Sequence, residues 1–301
     1  MATPYDHLSR MILRRQGVGE RWLETSVGAV HAYEARGQGE LPPVALLHGF
    51  SSSAGHFEAL FRRLRRRVRR LIAIDLPAHG FSQSPPRGLN YETIRDGTFE
   101  ALDQLLPFGE SACLVGNSMG GFAAVRYTNA RPERVRGLVL LSPGGAAMAP
   151  PDLGKLRSLF EMTRVDEALD FVDRLLAQRH PLRKLIAPFV LKEIRRDPLQ
   201  SLIKNLHTRH LLRPEELAGL AVPVLFVWGG RDRILPEASK RWFIRHLPPE
   251  VRIETPPHFG HTPQLEVPEE VARMMLSFIE GLEAQVKVFS FPDAAQTRRA
   301  S

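Results

Sequence analysis

Two hydrophobic periods alternate along the chain. Short uninterrupted aliphatic runs occur at PVALLHG (43–49), RLIAIDL (70–76), ACLVGN (112–117), VRGLVLLS (135–142) and VPVLFVWG (222–229). Runs of this kind suit parallel strands covered on both faces. Between them, stretches at 55–66, 91–106, 118–130 and 236–247 carry apolar positions three and four residues apart, which predicts helices. A last helix is predicted over 268–283, with Pro268 near its start and Val271, Met274, Met275, Phe278 and Ile279 on one face. Alternating strand and helix predicts an α/β fold, a doubly wound and mostly parallel sheet. Ahead of it, RWLETSVGAVHAYEA reads as a hairpin turning at Val27-Gly28, an antiparallel edge. VRIET reads as one further strand near the carboxyl end.

The alternation breaks once. From about Ala146 to Arg213 there is no strand-like run, only amphipathic helix. Val165, Ala168, Leu169, Val172, Leu175 and Leu176 form one stripe, Pro181 ends that segment, and further pieces follow around 185–196 and 198–212. A helical block between two strands predicts a lid over the sheet's carboxyl edge. The expected organisation is a core of residues 20–145 and 214–283, a lid of 146–213, and terminal extensions at 1–19 and 284–301. The tail VKVFSFPDAAQTRRAS suggests at most a short strand before an unstructured end.

Composition alters this picture little. Of 301 residues 43% are hydrophobic and 25% charged, enough to bury a large core without staples. The single cysteine, Cys113, excludes an internal disulfide and sits in an apolar run as a small buried hydrophobe. No run approaches the length of a membrane span, and the first residues lack a signal-peptide pattern, so a cytoplasmic protein without integral membrane association is expected. The net charge is +8, with seven arginines in FRRLRRRVRR (61–70). No aromatics interleave with that run for base stacking, and Phe61, Leu64, Val68 and Leu71 recur at helical spacing. It therefore predicts the wet side of a helix, not a nucleic-acid site.

The chemistry gathers around SACLVGNSMGGFAAVR (111–126). Gly116 and Gly120 bracket Ser118 between a predicted strand and a predicted helix. A serine on a strained strand-to-helix turn needs glycines on either side, because side chains there would strike neighbouring backbone. The helix N-terminus then favours negative charge at the serine oxygen. A nucleophile needs a base. Of eleven histidines, His261 lies in the loop PPHFGHTPQLE after a predicted strand, at the sheet end where ligands bind in open α/β folds. His258 competes from three residues earlier; His246, His180, His207 and His210 read as structural or surface groups, and His48 as structural. Asp232, the first acid after VPVLFVWGG, can orient the imidazole; the alternative acid after the preceding strand, Asp152, is late for a strand end. Backbone N–H groups of Phe50, after His48-Gly49, and of Met119 would form the anion trap for a tetrahedral intermediate.

With HGF (48–50), DLPAHGFSQS (75–84), GNSMGG (116–121), GGRD (229–232) and GHTPQLEVPEE (260–270) in this order, the chain resembles the α/β-hydrolase superfamily across roughly residues 20–283. The order Ser118, Asp232, His261 is that of the superfamily's triad. The resemblance implies that Asp75 is architectural, and that a serine at this turn excludes the branches that use aspartate there. It implies hydrolysis of a carboxylic ester through an acyl-enzyme, on a small-molecule substrate, with no metal or organic cofactor. GNSMGG followed by LLSPGG is also similar to hydrolases that cleave carbon–carbon bonds in ring-fission products. Those use a lid arginine for a substrate carboxylate, and Arg164, Arg174 and Arg179 are available here. A non-catalytic ligand-binding protein on the same scaffold is the reading from another class. Because a histidine base must be neutral, activity is expected to fall on acidification through the imidazole range, about 6.5 when unperturbed.

Overall fold

The computed structural model describes residues 2–289, and in it the aliphatic runs form one eight-stranded sheet. Its strands are β1 (Gly19–Leu23), β2 (Val30–Arg36), β3 (Val44–Leu47), β4 (Arg70–Ile74), β5 (Ala112–Asn117), β6 (Val135–Leu141), β7 (Val224–Val227) and β8 (Arg252–Glu254). Their spatial order is β1-β2-β4-β3-β5-β6-β7-β8. β2 pairs antiparallel with β1 and with β4, and all other neighbours are parallel. The predicted hairpin is thus the edge, with Gly28 at φ 114° in its turn. The strand order reverses at β3, which lies between β4 and β5. In open α/β sheets such a reversal leaves a crevice at the carboxyl ends.

The sheet is covered on both faces, and side-chain alternation shows how. Val44 and Leu46, Leu71 and Ala73, Cys113 and Val115, and Leu225 and Val227 enter one buried cluster. Their neighbours Ala45 and Leu47, Ile72 and Ile74, Ala112 and Leu114, and Val224 and Phe226 enter the other. Helices α1 (Pro4–Arg15) and α2 (Glu58–Leu64) pack on the first face. On the second lie α3 (Tyr91–Leu105) and α4 (Met119–Ala130). Between β6 and β7 only helices occur, α5 (Pro150–Ser158), α6 (Val165–Leu175), α7 (Arg183–Ile194), α8 (Asp197–Lys204) and the short α9 (Pro214–Ala218), besides a single 3-10 turn. Ala168, Phe171 and Val172 of α6 are buried in the second cluster, with Leu169 and Leu175 packed beside them, so most of the predicted stripe is the inward face. Val165, at the first position of α6, is exposed. The chain then runs through α10 (Glu237–His246), α11 (Pro263–Glu266) and α12 (Pro268–Phe289); α10 joins the second face and α12 the first. No helix among the described residues is long and apolar enough to cross a membrane.

Three local readings change. Hydrophobic period predicts no element before residue 20, yet α1 is a capped helix: Thr3 accepts from the Asp6 N–H, Asp6 accepts from Thr3, and Pro4 opens the first turn. Its buried side chains are Asp6, Ser9 and Leu13, so its inward face is not an apolar stripe and the pattern passes over it. At the other end, Val286 to Phe289 continue α12 as helix and not as a strand; the expectation for 290–301 lies outside the described residues. The arginine run is not the side of one helix, because α2 ends at Leu64 and β4 begins at Arg70, and it is more than a solvated face. Arg63 pairs with Glu269, Arg67 with Glu280, and Arg70 with Glu34 and Glu110, while Arg65 donates to the Arg36 and Gln16 carbonyls.

Candidate active site

β5 ends at Asn117 and α4 begins at Met119, so Ser118 alone makes the turn, at φ 52° and ψ −118°. A non-glycine residue held there costs about 1–3 kcal/mol and persists only where its surroundings over-determine it. The glycines supply that constraint. A Cβ at Gly116 would lie 2.4 Å from the Gly120 oxygen, and one at Gly120 would lie 2.2 Å from the Leu47 oxygen. The other non-glycine residues with positive φ among those described, Ser51, Ala78 and Ser142, also follow the carboxyl ends of strands. Strain is concentrated on this one edge of the sheet.

The loop after β3 comes against the serine. A Cβ at Gly49 would lie 3.1 Å from Ser118 Cβ. His48 is fully buried and holds that loop from inside. Its Nε2 accepts from the Leu76 N–H at 3.0 Å, which leaves Nδ1 to donate to the Gly49 carbonyl at 2.7 Å. Burial keeps this imidazole neutral, well below its ordinary pKa. The N–H groups of Phe50 and Met119 donate to no protein acceptor among the described residues. Both are therefore free for a ligand, and both adjoin Ser118. The Phe50 ring meets Phe160, between α5 and α6, edge to face at 4.9 Å.

His261 lies in the loop between β8 and α11 and is 3% exposed. Its Nδ1 is 2.7 Å from Asp232 Oδ2. Asp232, in the turn after β7, also accepts the Ile234 and Leu235 N–H groups on Oδ1, at 2.9 and 3.1 Å. Burial alone would raise its carboxyl. The imidazole and the two N–H donors outweigh burial together, and it titrates below the ordinary range. An ionised Asp232 accepts a hydrogen bond from Nδ1–H, which fixes that tautomer and leaves Nε2 as an acceptor. No hydrogen bond joins Nε2 to Ser118 Oγ among the described residues, as is common before substrate tightens such a site. What links the two loops is Asn117. This buried side chain donates to the His261 carbonyl at 3.0 Å and to the Leu141 carbonyl at 2.9 Å, and accepts from Gln264 Nε2 at 3.0 Å. From the helical segment, the Leu175 carbonyl accepts the His261 N–H at 2.9 Å, and Glu266 accepts the Ala177 N–H at 2.5 Å.

Ser118, Phe50, Met119, Asp232 and His261 thus all sit at the carboxyl ends of β3, β5, β7 and β8. The competing groups do not. His258 is exposed and bonded to Glu270 at 3.0 Å, and Asp152 is exposed on α5 and paired with Lys155. Arg164 and Arg179 are exposed and paired with Asp166 and Asp173, and Arg174 is exposed. Asp75 is architectural: it accepts the Ala54 and Phe81 N–H groups and binds His31 Nδ1 at 2.8 Å. Asn117 and Gln264 are the contributors that residue type and spacing could not mark, because their bond joins positions far apart in the chain.

Comparison with known proteins bears on the family and the fold. Over 258 residues the chain is 30% identical to a pimeloyl-[acyl-carrier protein] methyl ester esterase of Nitrosomonas europaea, covering 79% of this chain and 94% of that one. It is 27% identical to a 2-hydroxy-6-oxo-6-phenylhexa-2,4-dienoate hydrolase of Burkholderia cepacia, over 83% of this chain and 91% of that one. Among solved structures, a membrane phospholipase A superposes with a TM-score of 0.78 at 23% identity, over 93% and 91% of the two chains. The model of the Alpha/beta hydrolase family matches residues 44–274, and the chain belongs to that family.

Proposed function

We propose that the protein is a serine hydrolase that cleaves a carboxylic ester through an acyl-enzyme, with Ser118, His261 and Asp232 as its triad. The observation that carries this reading is the buried 2.7 Å pair of Asp232 and His261, tied through Asn117 to a serine on a strained turn. His261 Nε2 takes the Ser118 proton as Oγ bonds to the ester carbonyl carbon. The carbonyl oxygen becomes negative between the Phe50 and Met119 N–H groups, each such donor being worth about 2.7–4 kcal/mol of barrier. Collapse expels the alcohol with the proton from His261. Water, deprotonated by His261, then releases the acid and restores Ser118.

Carbon–carbon cleavage is the second reading, and the Burkholderia relative favours it. Against it stand Arg164, Arg174 and Arg179, all exposed, with two already paired to acids. Comparing p-nitrophenyl acyl esters with a vinylogous diketo acid separates the two. Faster turnover of the esters is expected; a strong preference for the diketo acid overturns the ester reading.

A further inference from the structure

The helical segment above the site turns apolar side chains outward. Leu182, just before α7, and Leu185 and Phe189 within it are 54%, 66% and 53% exposed, on one side of the helix. Lys184, Lys192 and Arg195 stand around them, exposed and paired with no carboxylate among the described residues. The one acid of α7, Glu193, is turned inward and bonded to Arg196.

Single exposed apolar residues are ordinary; three on one side of one helix, among cations with no acid partner, are not. A helix with an apolar outer face and flanking lysines suits the interfacial plane of a bilayer, its methylenes among acyl chains and its cations at the headgroups. We propose that the outer face of α7 docks this protein peripherally on an anionic phospholipid bilayer. A second copy fits less well, because a twofold pairing of this face sets Lys184, Lys192 and Arg195 near their own copies with no acid of α7 turned outward between them. The inference does not depend on which bond Ser118 attacks, since its readout is binding.

The test is flotation of the full chain with vesicles of phosphatidylcholine, with and without phosphatidylglycerol. The protein should float with the anionic vesicles only, and less as salt is added. Replacing Lys184, Lys192 and Arg195 by Gln should weaken binding about fivefold per charge, on the order of a hundredfold together. Replacing Leu182, Leu185 and Phe189 by Ser should weaken it by a comparable amount, on the order of a hundredfold. Unchanged thermal unfolding midpoints show that the variants remain folded, and the glutamine variant serves alone if the serine variant does not fold. Three outcomes overturn the proposal: no flotation of the native chain with anionic vesicles, flotation of the variants equal to that of the native chain, or a dimer in solution that the serine variant abolishes.

Discussion

Replacing Asn117 by Leu keeps the branched shape of a buried side chain, at somewhat greater volume, and removes its three hydrogen bonds. The Leu141 carbonyl keeps a partner, because it also accepts the Ser118 N–H at 3.2 Å. The His261 carbonyl and the Gln264 amide lose theirs, and Gln264 Oε1 already has none. Each buried group left without a partner costs about 1–3 kcal/mol, so a destabilisation of about 3 kcal/mol is expected from the pair. The kinetic consequence is separate. Asn117 is the side chain that fixes the His261 loop to the serine turn, and a displacement of about 1 Å at such a site costs on the order of a hundredfold in rate. Urea unfolding reads the first effect, and kcat and KM for a soluble p-nitrophenyl ester read the second. kcat should fall with KM little changed, because Asn117 is buried away from the substrate. A variant within about 0.5 kcal/mol of the native protein, the range of an ordinary surface change, with unaltered kcat would refute the role assigned to this bond.

Gly120→Ala should destabilise by about 3 kcal/mol, because its Cβ would meet the Leu47 and His48 oxygens at 2.2 and 2.6 Å. It should also cost on the order of a hundredfold in kcat, since the first turn of α4 must retreat and carry the Met119 N–H with it. Gly281→Ala, in α12 with nothing within 4 Å of its Cβ, is the control and should be neutral or stabilising in the same unfolding assay. Glu20 takes the Arg10 fork at 2.9 and 2.5 Å and also binds Arg14. Burial would raise its carboxyl, but the two guanidinium groups hold it at about 2, against an ordinary 4.5. With the folded value depressed, the stabilisation is complete above 4.5 and is lost as pH falls from there through about 2. Glu20→Gln should lose about 1–2 kcal/mol near neutrality, after allowance for solvent around Arg14. In denaturant titrations the variant and native curves should converge across that acid window; a gap that persists below it would contradict the ion-pair origin.

What could be read from the chain was whatever repeats or must be glycine. Strands covered on both faces show as unbroken aliphatic runs, and each of the five in the parallel part lies within two residues of its observed bounds. Ser118 was legible because steric exclusion at Gly116 and Gly120 leaves a mark in sequence. α1 was not, because its inner face is Asp6, Ser9 and Leu13, although its capping signature Thr3-Pro4-Tyr5-Asp6 was present. The paired arginines of 61–70 looked solvated because their acids, Glu34, Glu110, Glu269 and Glu280, are remote in the chain. Asn117 and Gln264 stayed silent for the same reason: contact across the fold, not local spacing, gives them a role.

The most direct measurement is active-site labelling with a fluorophosphonate, read by peptide mapping. Covalent label on Ser118 alone, absent from Ser118→Ala and strongly slowed in His261→Gln, is the predicted result. A folded protein that stays unlabelled, or one labelled at another serine with Ser118 intact, would contradict it.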